Sequence, residues 1–208
     1  MFNSANSVAR GLYRAFRFRF TEAAEWKSRQ YAAPSPVLIK RQVLMRNSAL
    51  NATWVETGTF LGETTKFLAR TAKQVFSVEP EPALYRRAKH RFASTPNVSI
   101  INATSEVSFP SLLPTLSGTV NFWLDGHYSA GVTFRGNADT PIIEELAQIE
   151  ANLPRFAKVN VLVDDVRCFN PSLEEYSSYP SIDFLVDWAR RNKLGWHIEH
   201  DIFVARST

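Results

Sequence analysis

Thr53-Trp54-Val55-Glu56-Thr57-Gly58-Thr59-Phe60-Leu61-Gly62 reads as a short apolar strand that runs into a glycine-bearing turn, with a helical run over residues 63–71 after it. Gly58 lets the backbone turn tightly and approach a ligand; Gly62 lets the helix start close to the strand. In open α/β sheets, ligands bind beyond the carboxyl ends of the strands. One glycine turn is a weak signal. It gains weight from Glu79, which ends the next strand-like run, 74–79, at 23 positions beyond Glu56. A carboxylate there can accept both hydroxyls of a ribose.

The alternation continues outward from this unit. Residues 97–101, 120–125 and 159–164 read as strands, and 82–93, 105–116, 140–153 and 182–191 as helices. Leu84, Ala88 and Phe92 share one helical face, as do Ile142, Leu146, Ile149 and Leu153. Glu144 and Glu145 suit the positive end of their helix. Strand–helix alternation implies a parallel sheet covered on both faces. The last two strands, 195–199 and 202–206, leave no room for a crossover and must be antiparallel. The expected fold is therefore α/β: a Rossmann-like, doubly wound, mostly parallel seven-stranded sheet with an antiparallel terminal strand, plus an N-terminal helical extension.

The chain has 208 residues, 45% of them hydrophobic and 21% charged, which excludes a disordered or collagen-like polymer. Cys168 is the single cysteine, so neither an internal disulfide nor a multi-cysteine zinc site is available. No apolar run approaches the roughly 20 residues of a membrane span, and residues 1–10 lack the apolar core of a secretory signal. A cytoplasmic location is expected. The net charge of +4 is uneven. Residues 1–46 hold nine Lys and Arg against Glu22 and Glu25, and the remainder is net acidic. The basic character thus belongs to the N-terminus and does not indicate a nucleic-acid-binding domain. Residues 1–50 are read as a helical extension or lid and 51–208 as the catalytic domain. The basic–aromatic stretch Arg14-Ala15-Phe16-Arg17-Phe18-Arg19-Phe20 offers a second role for the extension, peripheral membrane contact. A homodimer is also compatible with the sequence.

Two cofactors compete for the crevice. A dinucleotide site uses three glycines and presents a helix N-terminus to a pyrophosphate. Here Phe60 replaces the middle glycine, and the Glu56 carboxylate stands just before the turn. That carboxylate repels a pyrophosphate and suits a donor carrying an ammonium and a sulfonium. The stretch Glu56-Thr57-Gly58-Thr59-Phe60-Leu61-Gly62, Glu79, Asn102-Ala103-Thr104 and Asp125 resembles the successive motifs of class I S-adenosylmethionine-dependent methyltransferases. The aromatic at the middle glycine resembles the catechol O-methyltransferase-like branch. Asp125 to Thr133, Asp139-Thr140-Pro141 and Glu144-Glu145-Leu146 are similar to bacterial methyltransferases of glycan and natural-product tailoring. The resemblance covers residues 36–206. It implies that Glu56 lies near the methionine end of the cofactor and that Thr57, Gly58, Thr59, Phe60 and Gly62 form its loop. It further implies that Glu79 and Pro80 flank the ribose, Ala103 and Thr104 border the adenine, and Asp125 and Gly126 sit beside the transferring methyl, where Asp125 is a catalytic candidate with His127.

Asp125 ends the fourth strand, and Asp164-Asp165 end the fifth. Three carboxylates at one mouth repel one another unless a cation or strong donors intervene. Oxygen ligands suit Mg²⁺. The resembled branch holds its metal with an aspartate after strand four and an Asp-Asn pair after strand five; here Asp165 replaces the amide. The alternative is that Asp164 and Asp165 bind Arg167 or Arg135. His127 is the best-placed neutral-range base for deprotonating a hydroxyl acceptor. Tyr128, Arg135 and Arg167 are candidates for the substrate, with Tyr176, Tyr179 and Pro180 as pocket lining. The acceptor is expected to be a small molecule or a sugar of a glycan, not nucleic acid. A nicotinamide-dependent oxidoreductase and a non-catalytic scaffold of the same fold remain the competing readings.

Overall fold

The computed structural model of the chain describes residues 21–126 and 140–207. The expectations for residues 1–20 and for 127–139 lie outside the described residues. The described elements are α1 (Val37–Arg46), β1 (Thr53–Thr57), α2 (Glu63–Leu68), β2 (Gln74–Val78), α3 (Pro82–Arg91), β3 (Val98–Ile101), α4 (Ser105–Leu112), β4 (Gly118–Leu124), α5 (Ile142–Asn152), β5 (Phe156–Val163), α6 (Ile182–Arg191), β6 (Gly195–Glu199) and β7 (Ile202–Arg206). Residues 21–28 are also helical.

The strands form one seven-stranded sheet in the order β3-β2-β1-β4-β5-β7-β6. The pairs from β3 through β5 are parallel, and β7 runs antiparallel to both of its neighbours. The fold is thus the mostly parallel α/β sheet that the alternation implied. The antiparallel strand is last in the chain but not at the sheet edge. β7 is buried along Ile202–Ala205, whereas β6 is partly exposed throughout, so the apolar strand enters the interior and β6 takes the margin. His200 and Asp201, both at positive φ, make the two-residue turn between them.

Alternation along the strands loads both faces. Val55, Phe122, Leu124, Val161 and Val163 pack with Phe109, Leu113, Ile149 and Trp188 of the α4–α6 side. Trp54, Trp123, Leu162 and Val204 pack with Val43 and Leu44 of α1 and Leu68 of α2. α4 stops at Leu112 and gives way to a 3₁₀ turn, short of the run to 116 that periodicity suggested. Pro110 and Pro114 remove backbone donors there.

α1 is fastened to the sheet by more than its apolar face. The buried Asn121 side chain exchanges hydrogen bonds with the Ala49 backbone, donating to its carbonyl at 3.0 Å and accepting from its N–H at 3.2 Å. Asn160 donates to the same Asn121 oxygen at 2.7 Å. Asn47 donates to Glu199 at 3.0 Å, and Arg46 pairs with that carboxylate. No described helix is long and apolar enough to cross a membrane.

Two isoleucines on α5 test this packing: Ile149 is wholly buried, and Ile143 is 48% exposed. Ile149→Ala should lower unfolding free energy by about 2–5 kcal/mol and Ile143→Ala by at most about 0.5 kcal/mol. Urea melts of the two variants check this, with unchanged m-values.

Candidate functional site

Strand order reverses between β1 and β4, and the crevice beyond their carboxyl ends is where an open α/β sheet takes its ligand. The turn after β1 forms one wall. Gly58 sits at φ +87, and a Cβ there would stand 2.6 Å from the Asp125 carbonyl oxygen. No side chain fits that approach. The backbone ladder continues past both strands: the Asp125 N–H donates to the Thr57 carbonyl at 3.2 Å, and the Asp164 N–H to the Leu124 carbonyl at 3.0 Å. Gly62, at φ +74, faces the Phe92 ring at 2.7 Å from its virtual Cβ. Phe60 is exposed, its backbone also at positive φ.

Glu56 is fully buried at the end of β1. Its Oε2 accepts from the Ser77 hydroxyl at 2.5 Å and the Thr65 hydroxyl at 2.6 Å. Its Oε1 has no hydrogen-bond partner. Burial pushes the carboxyl up to about 7, although the two hydroxyls pull it down. Thr59 and Ser77 share a hydrogen bond at 2.6 Å, which ties the turn to β2. Glu79 is buried at the end of the neighbouring strand. Its two oxygens accept from the Phe60 N–H at 2.7 Å and the Glu81 N–H at 3.0 Å. Asn102 donates to the carbonyls of Glu79 at 2.8 Å and Pro80 at 3.2 Å, which sets the turn after β3 beside that after β2. Ala103 and Thr104 follow, both half-buried.

The acidic ends of β4 and β5 also meet. One ligand oxygen from each of Asp125, Asp164 and Asp165 lies within 4.8 Å of the others. A cation is already among them, however, and it comes from α1. The Lys40 ammonium lies 2.5 Å from Asp164 Oδ2 and 3.1 Å from Asp165 Oδ1. Of the two answers the sequence left open for these carboxylates, Mg²⁺ or an arginine, the second is seen at Asp165, which pairs with Arg167, and Lys40 adds a counter-charge that the sequence did not suggest. Burial and mutual repulsion push Asp125 and Asp164 up, and Lys40 pulls both back. Burial lowers the Lys40 ammonium's proton affinity, but the carboxylates outweigh it and hold the group above its ordinary value. Arg167, a substrate candidate from sequence, has its guanidinium on Asp165 at 2.6 Å and on Asp201. The other candidates of this group, His127, Tyr128 and Arg135, lie outside the described residues.

A cleft opens beside Gly126, lined among others by Glu145, Asp164, Phe169 and Tyr179. A Cβ on Gly126 would stand 3.1 Å from Thr57 Oγ1 and 3.5 Å from Glu145 Oε1. Neither oxygen makes a hydrogen bond of ordinary geometry. Burial pushes Glu145 up to about 7, although the nearby Ser105 and Thr57 hydroxyls pull it down. Sequence reading placed Glu145 with the helix dipole and missed it as a site group. The available signal was its spacing, three after Ile142 and four before Ile149, which sets a carboxylate on the apolar stripe. Tyr176 and Tyr179 pack edge to face at 6.0 Å, and Tyr179 does so with Phe169 at 5.5 Å. Cys168 is buried, and burial raises its thiol.

No family profile matches the chain, and no curated protein sequence does. Solved structures share its fold. A Streptococcus mutans protein classed as a methyltransferase and solved with SAH is 14% identical, with a TM-score of 0.50 over 84% of this chain and 98% of that one. The N-methyltransferase NodS of Bradyrhizobium japonicum is 13% identical, at TM-score 0.52 over 80% and 92%. A SAM-dependent methyltransferase of Aquifex aeolicus is 11% identical, at TM-score 0.52 over 81% and 89%. At these identities the likeness establishes the sheet and its connectivity.

The raised Glu56 carboxyl makes stability depend on pH. Folding lifts it from 4.5 to about 7, so the folded protein keeps this proton where the unfolded chain has lost it. The stabilisation is full below about 4.5 and fades as pH rises through about 7. Comparing wild type with Glu56→Gln at pH 5 and pH 8 by urea unfolding should show the balance move toward the variant at pH 8, by on the order of 2–3 kcal/mol. A pH-independent difference would contradict a buried, proton-holding Glu56.

Proposed function

We propose that the chain is an S-adenosylmethionine-dependent methyltransferase that methylates a hydroxyl of a small molecule or of a sugar in a glycan. The observation that carries the reading is Glu56: a fully buried carboxylate before the Gly58 turn, one oxygen held by two hydroxyls and the other without a partner. A buried carboxyl raised to about 7, with one oxygen unanswered, is stabilised in its ionised form by a cationic donor group, which displaces the proton. A dinucleotide would bring more negative charge to the same place. The sheet shared with methyltransferases, one of them solved with SAH, supports the reading.

When bound, S-adenosylmethionine supplies an electrophilic methyl group on a sulfonium. Glu56 receives the amino end of that donor. Gly58 keeps the wall beside Asp125 free of a side chain. Each Glu79 oxygen accepts one backbone N–H and retains further acceptor capacity for ribose hydroxyls. Ala103 and Thr104 border the adenine, and Asp125 and Gly126 stand beside the transferring methyl. An alcohol is a poor nucleophile at neutral pH, so a base must take its proton as it attacks. His127, two positions beyond Asp125, is the residue proposed for this. The acceptor hydroxyl approaches the methyl from the side of Gly126.

Calorimetric titration with S-adenosylhomocysteine should give one site per chain, and titration with NAD none. Glu56→Gln should weaken S-adenosylhomocysteine by roughly tenfold or more, about 1.4 kcal/mol. Binding of NAD with no response to S-adenosylhomocysteine would overturn the proposal in favour of an oxidoreductase. His127→Ala should keep S-adenosylhomocysteine affinity and lower turnover by ~10²–10⁴-fold. Unchanged turnover would remove His127 as the base.

A further inference from the structure

We infer that Lys40 stands in for a divalent cation, so that the carboxylates at the ends of β4 and β5 form a metal-free site built partly from α1. Three carboxylates whose oxygens come within 4.8 Å of one another cannot remain charged and desolvated without a counter-charge. In a metal-assisted site an ion would supply it. Here the supply is covalent. Lys40 projects from the N-terminal half of α1, and its ammonium bridges Asp164 and Asp165 at 2.5 and 3.1 Å.

Three features make this a built arrangement and not a passing surface pair. First, both aspartates are buried, at 5% and 6% exposure, and the lysine side chain is itself only 19% exposed. Second, the aspartates are fixed independently. Asp164 Oδ1 accepts the Asp165 N–H at 2.9 Å, and Asp165 is also gripped by Arg167 at 2.6 Å, which is anchored in turn on Asp201. Third, α1 cannot swing away cheaply, because Val43 and Leu44 are in the core and the segment behind them is locked to Asn121 and Glu199. The strand alternation agrees: Asp125 and Asp164 continue the register of Trp123 and Leu162, the residues of the face on which α1 packs.

A buried ammonium differs from Mg²⁺ in a testable way. It neutralises one charge, has no open coordination positions, and cannot be stripped by a chelator. Removing it leaves an oxygen-rich cradle of the kind that holds a hard divalent ion. The inference concerns the same mouth as the methyl-transfer proposal, but its readout is ion binding and is independent of the donor.

The experiment is Mn²⁺ titration of the full chain, followed by the electron paramagnetic resonance signal of the free ion. Wild type should take up no stoichiometric Mn²⁺. Lys40→Met, which keeps the apolar stem and removes the charge, should acquire one Mn²⁺ per chain at concentrations where wild type takes up none. Lys40→Met combined with Asp164→Asn should lose it again. S-adenosylhomocysteine titration of the same samples reports donor binding separately, so failure of either idea is seen on its own. One tightly bound Mn²⁺ in wild type, abolished by Asp164→Asn, would overturn the inference. So would a Lys40→Met protein that melts cooperatively and binds no ion. If Lys40→Met does not fold, the wild-type titration still decides between a lysine and a metal.

Discussion

The contact on which the crevice depends is the one between the Gly58 turn and the Asp125 carbonyl. Parallel pairing sets β1 directly beside β4, residue against residue from Thr53 and Val120 to Thr57 and Leu124. The turns that leave the two strands must then pass each other at backbone distance. A residue with a Cβ at position 58 would push them apart, and the positive φ there adds strain for any L side chain. Everything placed at the mouth inherits its position from that approach: Glu56 and Thr57 on one side, Asp125 and Gly126 on the other.

The second constraint is charge. Glu56, Asp125, Glu145, Asp164 and Asp165 crowd into one end of a sheet whose interior is apolar, and each ionised carboxylate is costly there unless it is paired or hydrogen-bonded. The molecule answers locally and unequally. Glu56 receives two hydroxyls on one oxygen and none on the other, Asp164 and Asp165 receive a lysine and an arginine, and Glu145 has only the weak pull of the Ser105 and Thr57 hydroxyls. Burial raises the carboxyls of Glu56, Glu145, Asp125 and Asp164 alike, and what differs is the answer each receives: hydroxyls pull Glu56 and Glu145 back, and Lys40 pulls the two aspartates.

α1 belongs to this electrostatic system as much as to the packing. It covers one face of the sheet with Val43 and Leu44 and sends Lys40 to the acidic mouth from the same helix. Loss of α1 would therefore disturb both the core and the charge balance of the site. That coupling makes the segment before β1 something more than a cover.

Local order along the chain was enough to read the strand–helix alternation, the parallel sheet, the glycine turn after Glu56 and the placement of Glu79 at the end of β2. The reason is that apolar periodicity and turn chemistry act over a few residues, and the βαβ unit then leaves little topological freedom. The insertion of β7 between β5 and β6 was not legible, because it follows from which strand can be buried on both faces once neighbours exist. Arg167, two positions beyond Asp165, was among the partners the sequence offered, but Lys40 was not: it and Asp164 are 124 positions apart, and nothing near either one announces the other. Ser77 and Thr65 looked like ordinary strand and helix residues until folding placed both hydroxyls on one Glu56 oxygen. Residue types and their local spacing can show that acidic groups converge on a ligand crevice. Which cation or hydroxyl answers each of them is set by distances across the fold, which no stretch of sequence encodes.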